Sequence, residues 1–283
     1  MIVYLPTPYE DELLYSYISR CFYKSGFISY RHFNQLIYEK PEIRPDIEFI
    51  NKFSKDFHKK ICEIKNIENI IMDMTMFPYY ARYLPQIQKN KAFVALKEMN
   101  GNFNDLLSKP RYRNQVLKYC PLCTKEDKEK LGETYWHRVH QIPGMEVCPY
   151  HGCYLSKTSI PIDKDKRITF KALEYEIKNK EIIYGKDLEK EYSIYLSKVL
   201  LDKFYFNDEI GNFLREYIND SIPKLFIKIK EFYKETSILD YGLTKDFQIQ
   251  KILQNIRHNP TEIAQIGFYL NINNLTNYQK VLI

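Results

Sequence analysis

Glycine and tryptophan are scarce in this chain, at 9 and 1 of 283 residues. There is no Gly-rich phosphate loop, which removes that class of nucleotide site. No apolar run approaches the roughly 20 residues that span a bilayer. The opening MIVYLPTPYEDELL has neither a basic n-region nor an apolar run, so no secretory signal is expected there. Catalytic signatures are missing too. The chain has no HExxH, no HxE with a downstream PCxxC, and no carboxylate cluster for two magnesium ions. A zinc hydrolase or nuclease built on His137 and His140 is therefore not expected. Cysteines committed to a metal are poor nucleophiles, which leaves a Cys-His enzyme little to work with.

What is present concentrates between Tyr119 and Cys153. This stretch, YCPLCTKEDKEKLGETYWHRVHQIPGMEVCPYHGC, holds four of the six cysteines and three of the six histidines. Cys120 and Cys123 form a CPLC pair, and Cys148 and His151 form a CPYH pair, with 24 residues between Cys123 and Cys148. Two such close-spaced pairs are how a chain builds a tetrahedral zinc site: each tight turn presents two ligands, and the loop brings the pairs together. Four protein ligands close the site, so the expected role is one structural Zn2+ per chain. Soft thiolates with one imidazole suit zinc better than magnesium or calcium. Two buried pairs without metal, or disulfides, are the other readings. A cytoplasmic chain of this size is expected to keep its thiols reduced. Cys153 can replace His151 as fourth ligand, but CPYH repeats the spacing of CPLC and favours His151. His137 and His140 are expected to hydrogen-bond in or near the module, with a second partial metal site as the alternative, and Trp136 to pack there.

The net charge is +6, with the positive excess in residues 1–119 and in the tail from 241. That is compatible with nucleic-acid contact through the two ends. The expected fold is mainly α, in four parts. Residues 1–118 form a helical, helix-turn-helix-like module, with a plain helical bundle as the alternative. Residues 119–160 form the zinc-binding module, and 161–240 a helical middle region. Residues 241–283 form a C-terminal helix-turn-helix-like segment, with a closing helical hairpin as the alternative.

Asp11 can cap the first helix, and Glu12 favours its positive end. Leu13, Leu14, Tyr17, Ile18 and Cys21 make its apolar stripe, and Gly26 ends it. Residues 29–38 read as a second helix, 46–64 as a third, and 67–78 as helix-like until Pro78. Ile194, Leu196, Val199 and Leu200 give a helical pattern further on. Arg111, Arg113 and Lys118 form a small basic run suited to phosphate. Asn273, Asn274, Thr276 and Asn277 front the last helix, where amides and hydroxyls can reach base edges or phosphates.

Several of these blocks occur together: LPTPYEDELLYS with Arg20 downstream, MTMFPYYARYLP, YCPLC and YWHRVHQIPGMEVCPYHG. In this order they resemble the TniQ/TnsD family of transposon target-selection proteins, over roughly residues 4–156. The resemblance implies a bacterial or mobile-element protein, cytoplasmic and nucleoid-associated. It implies an adaptor that links a chosen target to an AAA+ ATPase regulator, which recruits the transposase. The target is double-stranded DNA in some members and an RNA-guided CRISPR effector complex in others. The family's zinc ligands carry over onto Cys120, Cys123, Cys148 and His151. On this reading the N-terminal surface around Tyr9, Glu10 and Arg20, with Asp11 and Glu12, is the candidate ATPase contact. Residues 262–280 loosely resemble the AraC-type pattern of a short helix, Gly-Phe and a recognition helix. DNA-binding members are often longer, so a short member or a piece of a longer one is expected. The alternative function is a stand-alone zinc-containing, sequence-specific DNA-binding transcription regulator. Homodimer formation is left open.

Overall fold

The computed structural model describes residues 3–38, 40–82, 84–99, 107, 116–162, 169–178 and 181–201. Among them the chain is mainly helical, with one two-stranded sheet. The helices are α1 (Leu14–Lys24), α2 (Tyr30–Tyr38), α3 (Lys55–Ile64), α4 (Ile67–Met74), α5 (Phe77–Tyr80), α6 (Gln86–Lys97), α7 (Pro121–Leu131) and α8 (Asp187–Leu201). Strand β1 (Val116–Tyr119) pairs antiparallel with β2 (Ser156–Pro161), with Tyr119 opposite Ser156. No helix among the described residues is long and apolar enough to cross a membrane.

Helix α1 follows its predicted stripe, with Leu14, Tyr17, Ile18 and Cys21 buried. Its end is also as expected: Gly26 takes φ 68, the left-handed region that glycine enters at no steric cost. Its start differs. The residue before the helix is Leu13, with no side-chain cap, and Asp11 points elsewhere. The third predicted helix is shorter than its apolar pattern. Ile47, Phe49, Ile50 and Phe53 are buried, but helix begins only at Lys55. The reason is local. Asp46 Oδ1 accepts from the backbone N–H of Glu48 and Phe49, both at 2.9 Å, and holds a turn instead of a helix. Ser54 then caps α3, accepting from Phe57 N. Pro78 does not end a helix; it sits in the first turn of α5, where its missing N–H costs nothing.

One apolar core joins the N-terminal helices, the knuckle segment and α8: Leu13, Phe33, Tyr79, Trp136, Val139, Phe170 and Tyr192 all belong to it. Phe170 brings the chain after β2 back onto α1 and α2, its ring 5.0 Å from Phe33 and 5.8 Å from Phe22. Among the described residues, 169–178 and 181–186 hold only a 3-10 turn at Leu173–Tyr175, so this part of the expected helical middle region is not α-helical. Residues 202–283 lie outside the described residues. The expected C-terminal helix-turn-helix, with Asn273, Asn274, Thr276 and Asn277, falls there. Arg111 and Arg113 also lie outside them.

Candidate metal centre

The first knuckle is the junction of β1 and α7. Cys120 stands at the N-cap of α7 and Pro121 opens it, so the turn is set by a residue that needs no N–H there. The Cys120 sulfur accepts from Cys123 N at 3.4 Å. One helical turn thus places Sγ of Cys120 and Cys123 on the same side. The second knuckle closes on Gly152, at φ 68, whose N–H donates to Cys148 O at 2.9 Å.

The two knuckles meet. Ligand atoms of Cys120, Cys123, Cys148 and His151 all lie within 4.8 Å of one another. His151 Nδ1 is 3.6 Å from Cys120 Sγ, 3.3 Å from Cys123 Sγ and 3.8 Å from Cys148 Sγ. Cys123 and Cys148 sulfurs are 3.7 Å apart. An ion held tetrahedrally at about 2.3 Å from sulfur and about 2.0 Å from nitrogen needs ligand separations of roughly 3.5–3.8 Å. The donor set fits, and all three cysteines are buried. This Cys3His group can hold a metal ion.

The surroundings favour thiolate at Cys120 and Cys148, while the hydrogen bonds with those two push the Cys123 thiol up. Hydrogen bonds from Cys120 and Cys123 pull Cys148 down to about 3. The hydrogen bond with Cys123 pulls Cys120 down as well. On the outer side, His151 Nε2 sits 3.0 Å from Glu126 Oε1. Burial lowers the His151 pKa, but the hydrogen bonds to Glu126 and Cys148 outweigh it and raise it to about 9. A carboxylate on the far nitrogen fixes the ring orientation of a ligating histidine. Glu126 is not among the residues that the knuckle spacing points to. The signal was present, since it lies one helical turn after Cys123 on α7.

The residues between the knuckles tie this centre to the N-terminus. Arg138 Nε donates to Asp11 Oδ1 at 3.1 Å, and its NH1 donates to the carbonyls of Met72 at 2.9 Å and Thr75 at 3.2 Å. Asp11 Oδ2 accepts from Val139 N at 3.1 Å. Leu13 N donates to Trp136 O at 3.0 Å, and Trp136 N to Ser16 Oγ at 3.0 Å. His137 Nε2 lies 2.9 Å from Asp127 Oδ2, which joins the inter-knuckle loop to α7. Gln141 pairs with β1 through its side chain, its Oε1 accepting from Lys118 N and its Nε2 donating to Lys118 O.

Glu10 is exposed and Tyr9 half-buried. Arg20 is not on an open face. Its side chain is 4% exposed, pairs with Glu12 at 2.7 Å and Glu133 at 2.8 Å, and lies 4.0 Å from the centre of the Tyr9 ring. Glu12 is fully buried and accepts from Tyr9 N and Ser16 Oγ. Lys118 is also directed inward. Its ammonium donates to Met145 O, and burial lowers its pKa to about 8. That position offers the charge to a carbonyl of the second knuckle's approach instead of to a phosphate.

Comparison with known proteins agrees with this unit. The TniQ family model matches residues 3–155. The transposon Tn7 transposition protein TnsD of Escherichia coli is 23% identical over 154 residues, which are 52% of this chain and 30% of that protein. The chain therefore spans less than a third of the length of the curated relative it matches. The family match takes in more than half the chain, from the segment that carries Asp11 and Glu12 to just beyond the second knuckle. The chain belongs to the TniQ family.

Proposed function

We propose that this protein is a non-enzymatic target-selection adaptor of transposition, built around one structural zinc ion. It binds double-stranded target DNA or an RNA-guided CRISPR effector complex, and it recruits an AAA+ transposition regulator. The observation that carries this reading is the coincidence of the family match with the locked unit: residues 3–155 hold the N-terminal helices, both knuckles and the buried pairs between them. The TnsD relative, a transposition protein, supports the same role.

The chemistry supports holding over turnover. Four protein ligands close the cluster, so a bound zinc keeps no position for a reacting water. When bound, the ion supplies a rigid cross-link between the knuckles. Zinc of this kind is folding free energy. His137 is buried, with Nε2 2.9 Å from Asp127 Oδ2 and Nδ1 4.0 Å from Asp11 Oδ2, so it serves as a link between α7 and the N-terminal segment.

The exposed surface around Tyr9 and Glu10 is the proposed ATPase contact, with Arg20 positioning the Tyr9 ring from below. Arg111, Arg113 and the amide-rich 273–277 segment are proposed to contact the target. The test is co-purification with the AAA+ regulator of the same element. The wild-type chain is expected to retain it, and Cys148→Ser to lose ATPase and target contact together. Nanomolar binding to one specific duplex with a steep salt slope, and no ATPase retention, would instead make the protein a stand-alone regulator.

A further inference from the structure

Two buried side chains face the Cys3His cluster without being among its four ligands. His140 is 1% exposed, and its Nε2 lies 3.7 Å from Cys123 Sγ and 3.6 Å from Cys148 Sγ. Its other nitrogen, Nδ1, is buried and has no hydrogen-bond partner among the described residues. Cys153 is fully buried, with Sγ 3.4 Å from Cys120 Sγ.

We propose that His140 and Cys153 are positioning residues of the metal centre: they donate N–H and S–H hydrogen bonds to the ligand sulfurs and hold the metal in place without coordinating it. This rests on the reading of the cluster as a zinc site. Three thiolates around a divalent cation leave one net negative charge in an apolar core. Burying such a charge is costly unless hydrogen bonds satisfy it. Each sulfur then has a donor: Cys120 from Cys123 N–H and Cys153 S–H, and Cys123 and Cys148 from His140 Nε2–H shared between them. Placing the imidazole proton on Nε2 also accounts for Nδ1. It is then a bare acceptor, which is less costly to bury unpaired than an N–H. His137, the neighbouring histidine, has its own carboxylate partner in Asp127 and takes no part.

Donor groups around metal ligands change metal retention without changing the ligand set. The test therefore reads two quantities on the whole chain. One is the rate of zinc transfer to a colorimetric chelator. The other is the ligand-field spectrum of the cobalt(II)-substituted protein, which reports the number of sulfur and nitrogen ligands. His140→Leu is expected to speed zinc loss roughly 10- to 100-fold, while His140→Gln, which keeps an N–H, stays close to wild type. Cys153→Ala and Cys153→Ser form the matching pair, with Ser keeping an O–H. All four are expected to retain the wild-type cobalt spectrum. Should His140→Leu fail to fold, the Cys153 pair and His140→Gln decide the matter. Wild-type zinc-transfer rates in His140→Leu and Cys153→Ala would overturn the proposal. So would a cobalt spectrum that changes its ligand set in any of them, since that makes the residue a ligand. Wild-type protein that purifies with no metal is a different result, and sinks the zinc reading itself.

Discussion

At the scale of single residues, the unit depends on buried charges held by specific partners. Asp11 takes φ 55, a conformation that Asp tolerates better than most residues, and this turns its carboxylate toward Arg138 and Val139 N. Removing one member of a buried pair leaves the other without its counter-charge, and Asp11 would keep only the Val139 N–H and the more distant His137 ring. Arg138→Leu is therefore expected to cost about 3–5 kcal/mol in urea denaturation. A loss under about 1 kcal/mol would mean that Asp11 finds water or another donor. Glu133 gives a pH-dependent counterpart. One of its oxygens accepts from Tyr9 OH and Arg20, and pairs with Lys24. Burial alone would raise its pKa, but these hydrogen bonds outweigh it and hold the carboxyl below the usual 4.5. A carboxylate depressed in the fold contributes stability above its unfolded pKa, about 4.3, and loses it as pH falls through the lower folded value. Glu133→Gln should thus be less stable than wild type at neutral pH, and the gap should close as pH drops below about 4.3. A gap independent of pH would refute the assignment. None of this pairing is legible in sequence. Asp11 reads as a helix cap and Arg20 as a surface residue because their partners, Arg138 and Glu133, lie more than a hundred positions away.

At the scale of elements, sequence spacing was informative where the ligands are local. CPLC and CPYH each place two donors on one turn, and both turns form as the spacing implies. The apolar stripe of α1 was legible for the same reason. Residues 46–54 were not. Their apolar spacing suits a helix, but the Asp46 carboxylate accepts from the N–H groups of Glu48 and Phe49 and turns the segment, and helix starts only after Ser54, which caps α3. Strands β1 and β2 also carry no signal, because each is short and their pairing is long-range. The second knuckle illustrates how a single element depends on backbone freedom. Gly152 adopts φ 68, and an added Cβ would meet Lys190 Cδ at 3.0 Å. The lysine stem can give way, but the backbone cannot. Gly152→Ala is expected to cost about 1–2 kcal/mol, the penalty of a left-handed residue with a Cβ, read as a lower midpoint in thermal unfolding. An unchanged midpoint would show that the knuckle relaxes to another turn.

At the scale of the whole molecule, the Cys3His group and the loop between its knuckles are where separate parts of the chain meet. The second knuckle also holds the segment before α8: Tyr154 N donates to Ile183 O and Gly185 N to Gly152 O, both at 2.8 Å. Through Arg138, Trp136 and Leu13 the inter-knuckle loop holds α1, and through Met72 and Thr75 it holds the end of α4. A structural ion at this junction would therefore stabilise the N-terminal helices and the approach to α8 together, not the knuckles alone. The most direct test is the metal content of protein purified without added zinc, measured by mass spectrometry alongside thermal unfolding before and after chelation. The account predicts one zinc per chain, absent in Cys148→Ser, with a single unfolding transition that shifts down as a unit when the metal is removed. Less than half an equivalent of zinc in folded wild-type protein, or an unfolding transition that chelation leaves unchanged, would contradict it.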